Sequence, residues 1–385
     1  MVVPALAALA LVVMVGVLST WEYVLLVRST RRRQLQVNGL IRFGRSLRSL
    51  AIKVVLALIA WPHLVEVALG LHRTPTATTP KTAYWRAGPL TLWRYDGGSG
   101  TPVLLVHSLV TRPSVLDLAP GMSLVEALLR DGHDVWLLDW GTPGQPQAMA
   151  TLEDYGRLLA LAEQQVQAHT QSPVHLVGYC AGGLLSLAWH GAHGHDGLAS
   201  LTLIATPVDT AAVGGMGQFL RSPIAMPGLV LDGDGLVPAA VVRESFRLLR
   251  PQAIKTMRKL LRGRRDPLYR QASGALGRWA WDQTPVPGAL VFDVLDLARG
   301  NRLLSGELVM AGRRTDLSSL TGIPILLVTT VRDHIVPPAS TLALRSVPGL
   351  QIEELQCGAG HVAMLAGREA HEVLYPGLCA WLRKS

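Results

Sequence analysis

The chain is poor in cysteine, with three residues among 385: Cys180, Cys357 and Cys379. Three thiols cannot form a disulfide framework, and their spacing matches no metal-binding pattern, so no metal site is expected. No internal repeat or low-complexity tract is present, which excludes solenoids and arrays. Beyond residue 75 no long unbroken apolar run occurs, which excludes a polytopic transporter. Charged residues make up only 16% and hydrophobic ones 49%, a balance incompatible with intrinsic disorder. Acidic residues are also in deficit, 27 against 36 Lys and Arg, leaving a formal net charge of +9. Such an excess invites a nucleic-acid reading, but it is not spread evenly. Residues 1–75 hold nine Lys and Arg and two Glu, a net +7, so the rest of the chain carries only +2.

What residues 1–75 do contain is a membrane address. Positions 2–18 are continuously apolar, and the run resumes at 24–27 after a polar patch containing Glu22. Some twenty residues at about 1.5 Å rise are enough to cross a hydrocarbon core of roughly 30 Å. No Lys or Arg precedes the run, unlike a secretory signal. Arg28, Arg31, Arg32 and Arg33 follow it, which places that end in the cytoplasm, with Trp21 and Tyr23 at the interface. A second stretch, 52–71, is interrupted by Lys53, Pro62, His63 and Glu66 and reads as an interfacial or re-entrant helix. Arg42, Arg45 and Arg48 between the two suit anionic head groups. The alternative is a pair of apolar helices packed on the protein itself.

After a Thr/Pro-rich linker at 76–81, short apolar runs alternate with helical patterns. Strands are predicted at 90–93, 102–107, 134–138, 174–178, 201–205, 323–328 and 350–355. Helices are predicted at 123–131, 152–167 and 184–192. Near-continuous apolar strands separated by helices predict a mostly parallel, doubly wound α/β sheet covered on both faces. Residues 207–300 break the alternation and read as a helical cap, so the catalytic domain is expected over 76–385.

The chemistry begins at Gly178-Tyr179-Cys180-Ala181-Gly182, between a strand and a helix. This is the G-x-S-x-G nucleophile elbow with cysteine in place of serine, and the helix N-terminus favours a thiolate. The order then requires an acid and a histidine downstream. Asp333 and His361 each stand just past a predicted strand, where sites in open α/β sheets gather. His334 and Asp139 are the rival imidazole and acid. The oxyanion hole would use the backbone N–H of Ala181 and a second donor at Ser108 or Leu109. His107 reads as structural or as a pocket wall, and Cys357 and Cys379 as ordinary buried thiols.

Several motifs together identify a family. The segment TPVLLVHSLVTRPSVLDLAPGMSLVEALLRDGHDVWLLDWGTPG, the box GYCAGG, the stretch from WDQTPVPGALVFDVLDLARGNRLLSGELVMAGRRTDLSSL, and RDHIVPP and GAGHVAML resemble poly(3-hydroxyalkanoate) synthases. The length resembles the short, two-component type. The resemblance implies the α/β-hydrolase fold, Cys180 as nucleophile and acyl carrier, and His361 as its activator. It implies that Asp333 orients the histidine or helps activate the 3-hydroxyl of the incoming unit. It also implies a hydroxyacyl-CoA substrate without any cofactor, a granule or membrane surface, and a second synthase subunit or homodimer. Together with the membrane reading of residues 1–75, it gives the cytoplasmic face of the inner cell membrane, or the granule surface, as the expected location. Three features depart from the family: the N-terminal membrane stretch, Ala363 where glycine is frequent, and TRPS in place of an NRPY-like segment. The competing functions are a thioesterase, esterase or polyester depolymerase, and a non-catalytic tethered scaffold. A basic run in the cap, from Arg243 to Arg265, suits CoA phosphates, a surface or plain solvent. No reading module accompanies the charge, so nucleic acid is not an expected partner.

Overall fold

A computed structural model describes residues 75–214, 231–248 and 267–385. Residues 1–74 of the expected membrane segment and most of the basic run in the cap lie outside the described residues. Among the described residues no helix is long and apolar enough to cross a membrane.

Eight strands form one sheet: β1 (Lys81–Ala87), β2 (Leu90–Tyr95), β3 (Pro102–Val106), β4 (Asp134–Asp139), β5 (Val174–Tyr179), β6 (Leu198–Ile204), β7 (Pro324–Thr330) and β8 (Gln351–Cys357). Their spatial order is β1-β2-β4-β3-β5-β6-β7-β8. The β1–β2 and β2–β4 pairs are antiparallel and all others parallel. The mostly parallel sheet is therefore as expected, and β1 is an addition to it.

Apolar side chains alternate between the two faces, as the two-residue period of a strand dictates. Leu104, Leu176, Leu203 and Leu327 enter one core, with α2 (Leu152–Thr170) and α3 (Ala181–His193). Val103, Val177, Ile204 and Val328 enter the other, with α1 (Leu124–Arg130) and, near the C-terminus, residues such as Leu378 and Trp381. Burying each such side chain contributes roughly 1.5–3 kcal/mol, which explains why the central strands read as unbroken apolar runs.

Helix α2 starts where Thr151 accepts the Asp154 N–H and Asp154 in turn accepts the Thr151 N–H, a reciprocal cap for two orphan donors. Its buried stripe, Leu152, Tyr155, Leu159, Ala162 and Val166, follows helical spacing. Between β6 and β7 the described chain forms α4 (Ala239–Leu248), α5 (Pro267–Trp281) and α6 (Gly288–Gly300). Of the basic run, Arg243 can be followed: it pairs with Glu244 at 3.4 Å and lies 4.2 Å from the Trp281 ring.

Candidate active site

Strand β5 is buried throughout and held between β3 and β6. It ends at Tyr179, and α3 begins at Ala181. Cys180 alone makes the corner, with φ 53° and ψ −120°. That conformation is strained for a residue with a side chain. It is held by the Cys180 N–H, which donates to Ile204 O at 2.8 Å, and by the Cys180 carbonyl, which accepts from Leu184 N–H at 3.1 Å.

The two flanking glycines are steric necessities. A β-carbon on Gly178 would lie 2.4 Å from Gly183 Cα. One on Gly182 would lie 2.3 Å from Val106 O and 2.4 Å from His107 O. The second approach brings the end of β3 against the first turn of α3. Ser108 and Leu109, both buried, follow directly, and Ala181 opens the helix. The turn after β3 and the N-terminus of α3 are thus packed side by side.

Asp333 and His361 arrive from neighbouring strands. Parallel pairing of β7 and β8 runs as far as Thr330 opposite Cys357. Asp333 and His361 each lie a few residues beyond. His361 Nδ1 donates to Asp333 Oδ2 at 2.6 Å, and the Asp333 side chain is fully buried. Its other oxygen accepts the N–H groups of Ile335 and Val336, both at 2.8 Å. The carboxylate is therefore fixed before the imidazole meets it.

His361 is also buried. Burial alone would lower its pKa, but the charges of a Cys180 thiolate and of Asp333, with their hydrogen bonds, raise it to about 10. The ring thus lies within electrostatic reach of both Cys180 and the Asp333 carboxylate. Cys180 itself is only partly buried, whereas Cys357 and Cys379 are buried, and burial pushes both of those thiols up to about 11.

The rival residues lie elsewhere. His334 is exposed. Asp139 accepts Trp93 Nε1–H at 3.2 Å and Gly141 N–H at 2.9 Å. His107 is buried against Trp140, whose N–H points at its Nε2 at 3.5 Å. Burial lowers its pKa to about 4, outweighing the opposing pull of Asp139, so it is a neutral interior imidazole.

One participant escaped sequence reasoning. Tyr179 is buried, its hydroxyl donates to His361 O at 3.4 Å, and the two rings lie 5.3 Å apart. Burial and then Cys180 and Asp333 hold its pKa well above the usual phenol value, so it acts as a neutral donor. Only its place inside the elbow motif could have flagged it. Among the described residues no cluster of His, Cys, Asp and Glu could hold a metal ion.

The alpha/beta hydrolase fold family matches residues 101–367. The poly(3-hydroxyalkanoate) polymerase subunit PhaC of Synechocystis sp. is 30% identical over 322 residues, 79% of this chain and 84% of that protein. The chain belongs to the PhaC family. A second PhaC subunit, from Allochromatium vinosum, is 29% identical over 335 residues, 83% of this chain and 93% of its own length. Among solved structures, a putative aryl esterase from Burkholderia cenocepacia matches with a TM-score of 0.48 at 16% identity, covering 79% of this chain and 98% of its own. The Allochromatium vinosum and Synechocystis subunits are thus covered over 93% and 84% of their own lengths, and the hydrolase-fold match over residues 101–367 includes Cys180, Asp333 and His361.

Proposed function

We propose that this PhaC-family chain is a poly(3-hydroxyalkanoate) synthase that transfers (R)-3-hydroxyacyl groups from CoA thioesters to a growing polyester, with Cys180 as nucleophile. The observation that carries the reading is the His361–Asp333 hydrogen bond beside a cysteine at a strained strand–helix corner. His361 takes the proton of Cys180, and Asp333 holds the ring and stabilises its positive charge. The thiolate attacks the thioester carbonyl. The tetrahedral oxyanion is met by the Ala181 N–H and by an N–H at Ser108 or Leu109. CoA leaves as the thiol, taking the proton from His361, and the acyl group stays on Cys180. The 3-hydroxyl of an incoming unit then attacks that acyl-enzyme carbonyl, its proton passing to His361 or Asp333; the ester forms as the thioester bond to Cys180 breaks, and Cys180 leaves as the thiolate.

No cofactor enters these steps. The same reading makes residues 207–300 a cap over the site. It takes residues 1–75 as the membrane-associated segment and places the protein at the cytoplasmic face of the inner cell membrane or at the granule surface, with a second subunit or second copy as partner. The test is incubation with 3-hydroxybutyryl-CoA, following CoA release and product size together. Growing polymer that disappears in Cys180→Ala supports the proposal. Polymer formed equally well by Cys180→Ala overturns it. Free 3-hydroxybutyrate in place of polymer identifies a thioesterase instead.

A further inference from the structure

His361 stands four residues beyond the last ladder pair of β8, Thr330 opposite Cys357. Something else must hold the intervening turn. Its first peptide units are gripped by side chains from two other segments. The Gly358 N–H donates to Glu369 Oε2 at 2.8 Å. The Gly358 carbonyl accepts from Arg332 Nε, and the Ala359 carbonyl accepts from Thr330 Oγ1. Gly358 is itself fitted to this grip, since a β-carbon there would lie 2.7 Å from Glu369 Oε1.

We propose that Glu369 and Arg332 are positioning residues of this site, setting the place of His361 through the Gly358 backbone. The inference rests on the reading of Cys180 and His361 as catalytic. Arg332 directly precedes Asp333, so one arm of the grip is built on the acid turn itself. It thereby fixes the register between the carboxylate and the imidazole. Glu369 supplies the other arm from just before the π-turn Ala370–Leu374. Neither side chain acts on the titration of His361 directly, whose neighbours are Cys180 and Asp333. Their action is geometric. Displacing a catalytic group by about 1 Å lowers turnover on the order of a hundredfold, so even a small relaxation of the turn is measurable.

The experiment uses the full chain with 3-hydroxybutyryl-CoA and, separately, iodoacetamide alkylation of Cys180 as a function of pH. Cys357 and Cys379 are buried with raised thiol pKa values, so Cys180 is the thiol that reacts fast. Glu369→Ala is expected to lower kcat about tenfold or more with KM within about twofold. The pH dependence of its alkylation should also depart from that of wild type, because His361 is displaced from the thiol. Glu369→Gln keeps an oxygen for the Gly358 N–H and should retain kcat within about twofold. Wild-type kcat and an unmoved profile in Glu369→Ala overturn the inference. So does a Glu369→Gln defect equal to that of Glu369→Ala, which would mean that charge and not the hydrogen bond matters. Should Glu369→Ala not fold, Arg332→Ala, an exposed arm, decides by the same two readouts. Undiminished CoA release by Cys180→Ala is a different failure, because it removes the catalytic reading on which the inference rests.

Discussion

Asp333 is where a change of very few atoms says most. Its Oδ2 holds His361 and its Oδ1 holds two backbone N–H groups. Asp333→Asn keeps the shape but presents an amide N–H to either the imidazole or the backbone, and removes the charge that favours the imidazolium. CoA release should fall by about 10²–10⁴-fold, with far-UV circular dichroism unchanged. A loss of less than about fivefold would mean that the carboxylate is not an orienting partner. Gly182→Ala tests the elbow itself. Its methyl group would collide with two carbonyl oxygens of the β3 end, so the variant should lose both stability and activity, read by thermal denaturation and CoA release. At this scale the sequence made Cys180, Asp333 and His361 legible because glycine spacing and strand ends are local signals. Tyr179, Arg332 and Glu369 were not legible. Their roles depend on which turns meet in space, and a tyrosine, an arginine and a glutamate carry no spacing that announces it.

Helices α2 and α3 are joined by a buried polar contact near the C-terminal end of α3. His190 Nε2 lies 3.0 Å from Glu163 Oε1, and its Nδ1 lies 2.9 Å from Gly194 O. Both ring nitrogens face acceptors, so the ring is best served by its protonated form. Burial lowers the His190 pKa, but Glu163 and the Gly194 carbonyl raise it above its usual value. A raised folded pKa adds stability that is complete below the unfolded value, about 6.5. That increment fades as pH rises through the higher folded value. Glu163→Gln should therefore destabilise most at pH 5–6, and the gap to wild type should shrink toward alkaline pH in urea titrations. A gap that grows with pH would contradict the assignment. Element prediction succeeded where burial wrote the pattern. All seven predicted strands are present: six are largely buried, and the seventh, β8, is an edge strand with mostly exposed residues. Strand β1, KTAYWRA, was missed because no residue in it is fully buried and no apolar run marks it, and it follows a Thr/Pro linker that reads as coil.

Across the whole sheet, buried imidazoles set the acid limit of the fold. His107 lies at the end of β3 and His175 near the start of β5, and both are buried. Burial lowers the pKa of each to about 4, with His133 adding to the effect on His175. His175 is committed to Ser200 at 2.7 Å and His107 to the Trp140 N–H, contacts that suit neutral rings. In the unfolded chain both would titrate near about 6.5. A depressed folded pKa means the native state resists protonation, so stability is complete above the unfolded value and is lost as pH falls toward the folded one. The sign is opposite to that of His190, which keeps its contribution in acid. For His107 the difference corresponds to a loss of order 3 kcal/mol. The melting temperature should therefore fall between pH 6.5 and pH 4, before most carboxylates are protonated. Replacing His175 by glutamine, which keeps a hydrogen-bonding partner for Ser200 but cannot take up a proton in this range, should make that fall shallower. A melting temperature that holds level from pH 6.5 to pH 4, or a fall left unchanged by His175→Gln, would show that these rings are not what limits the fold in acid.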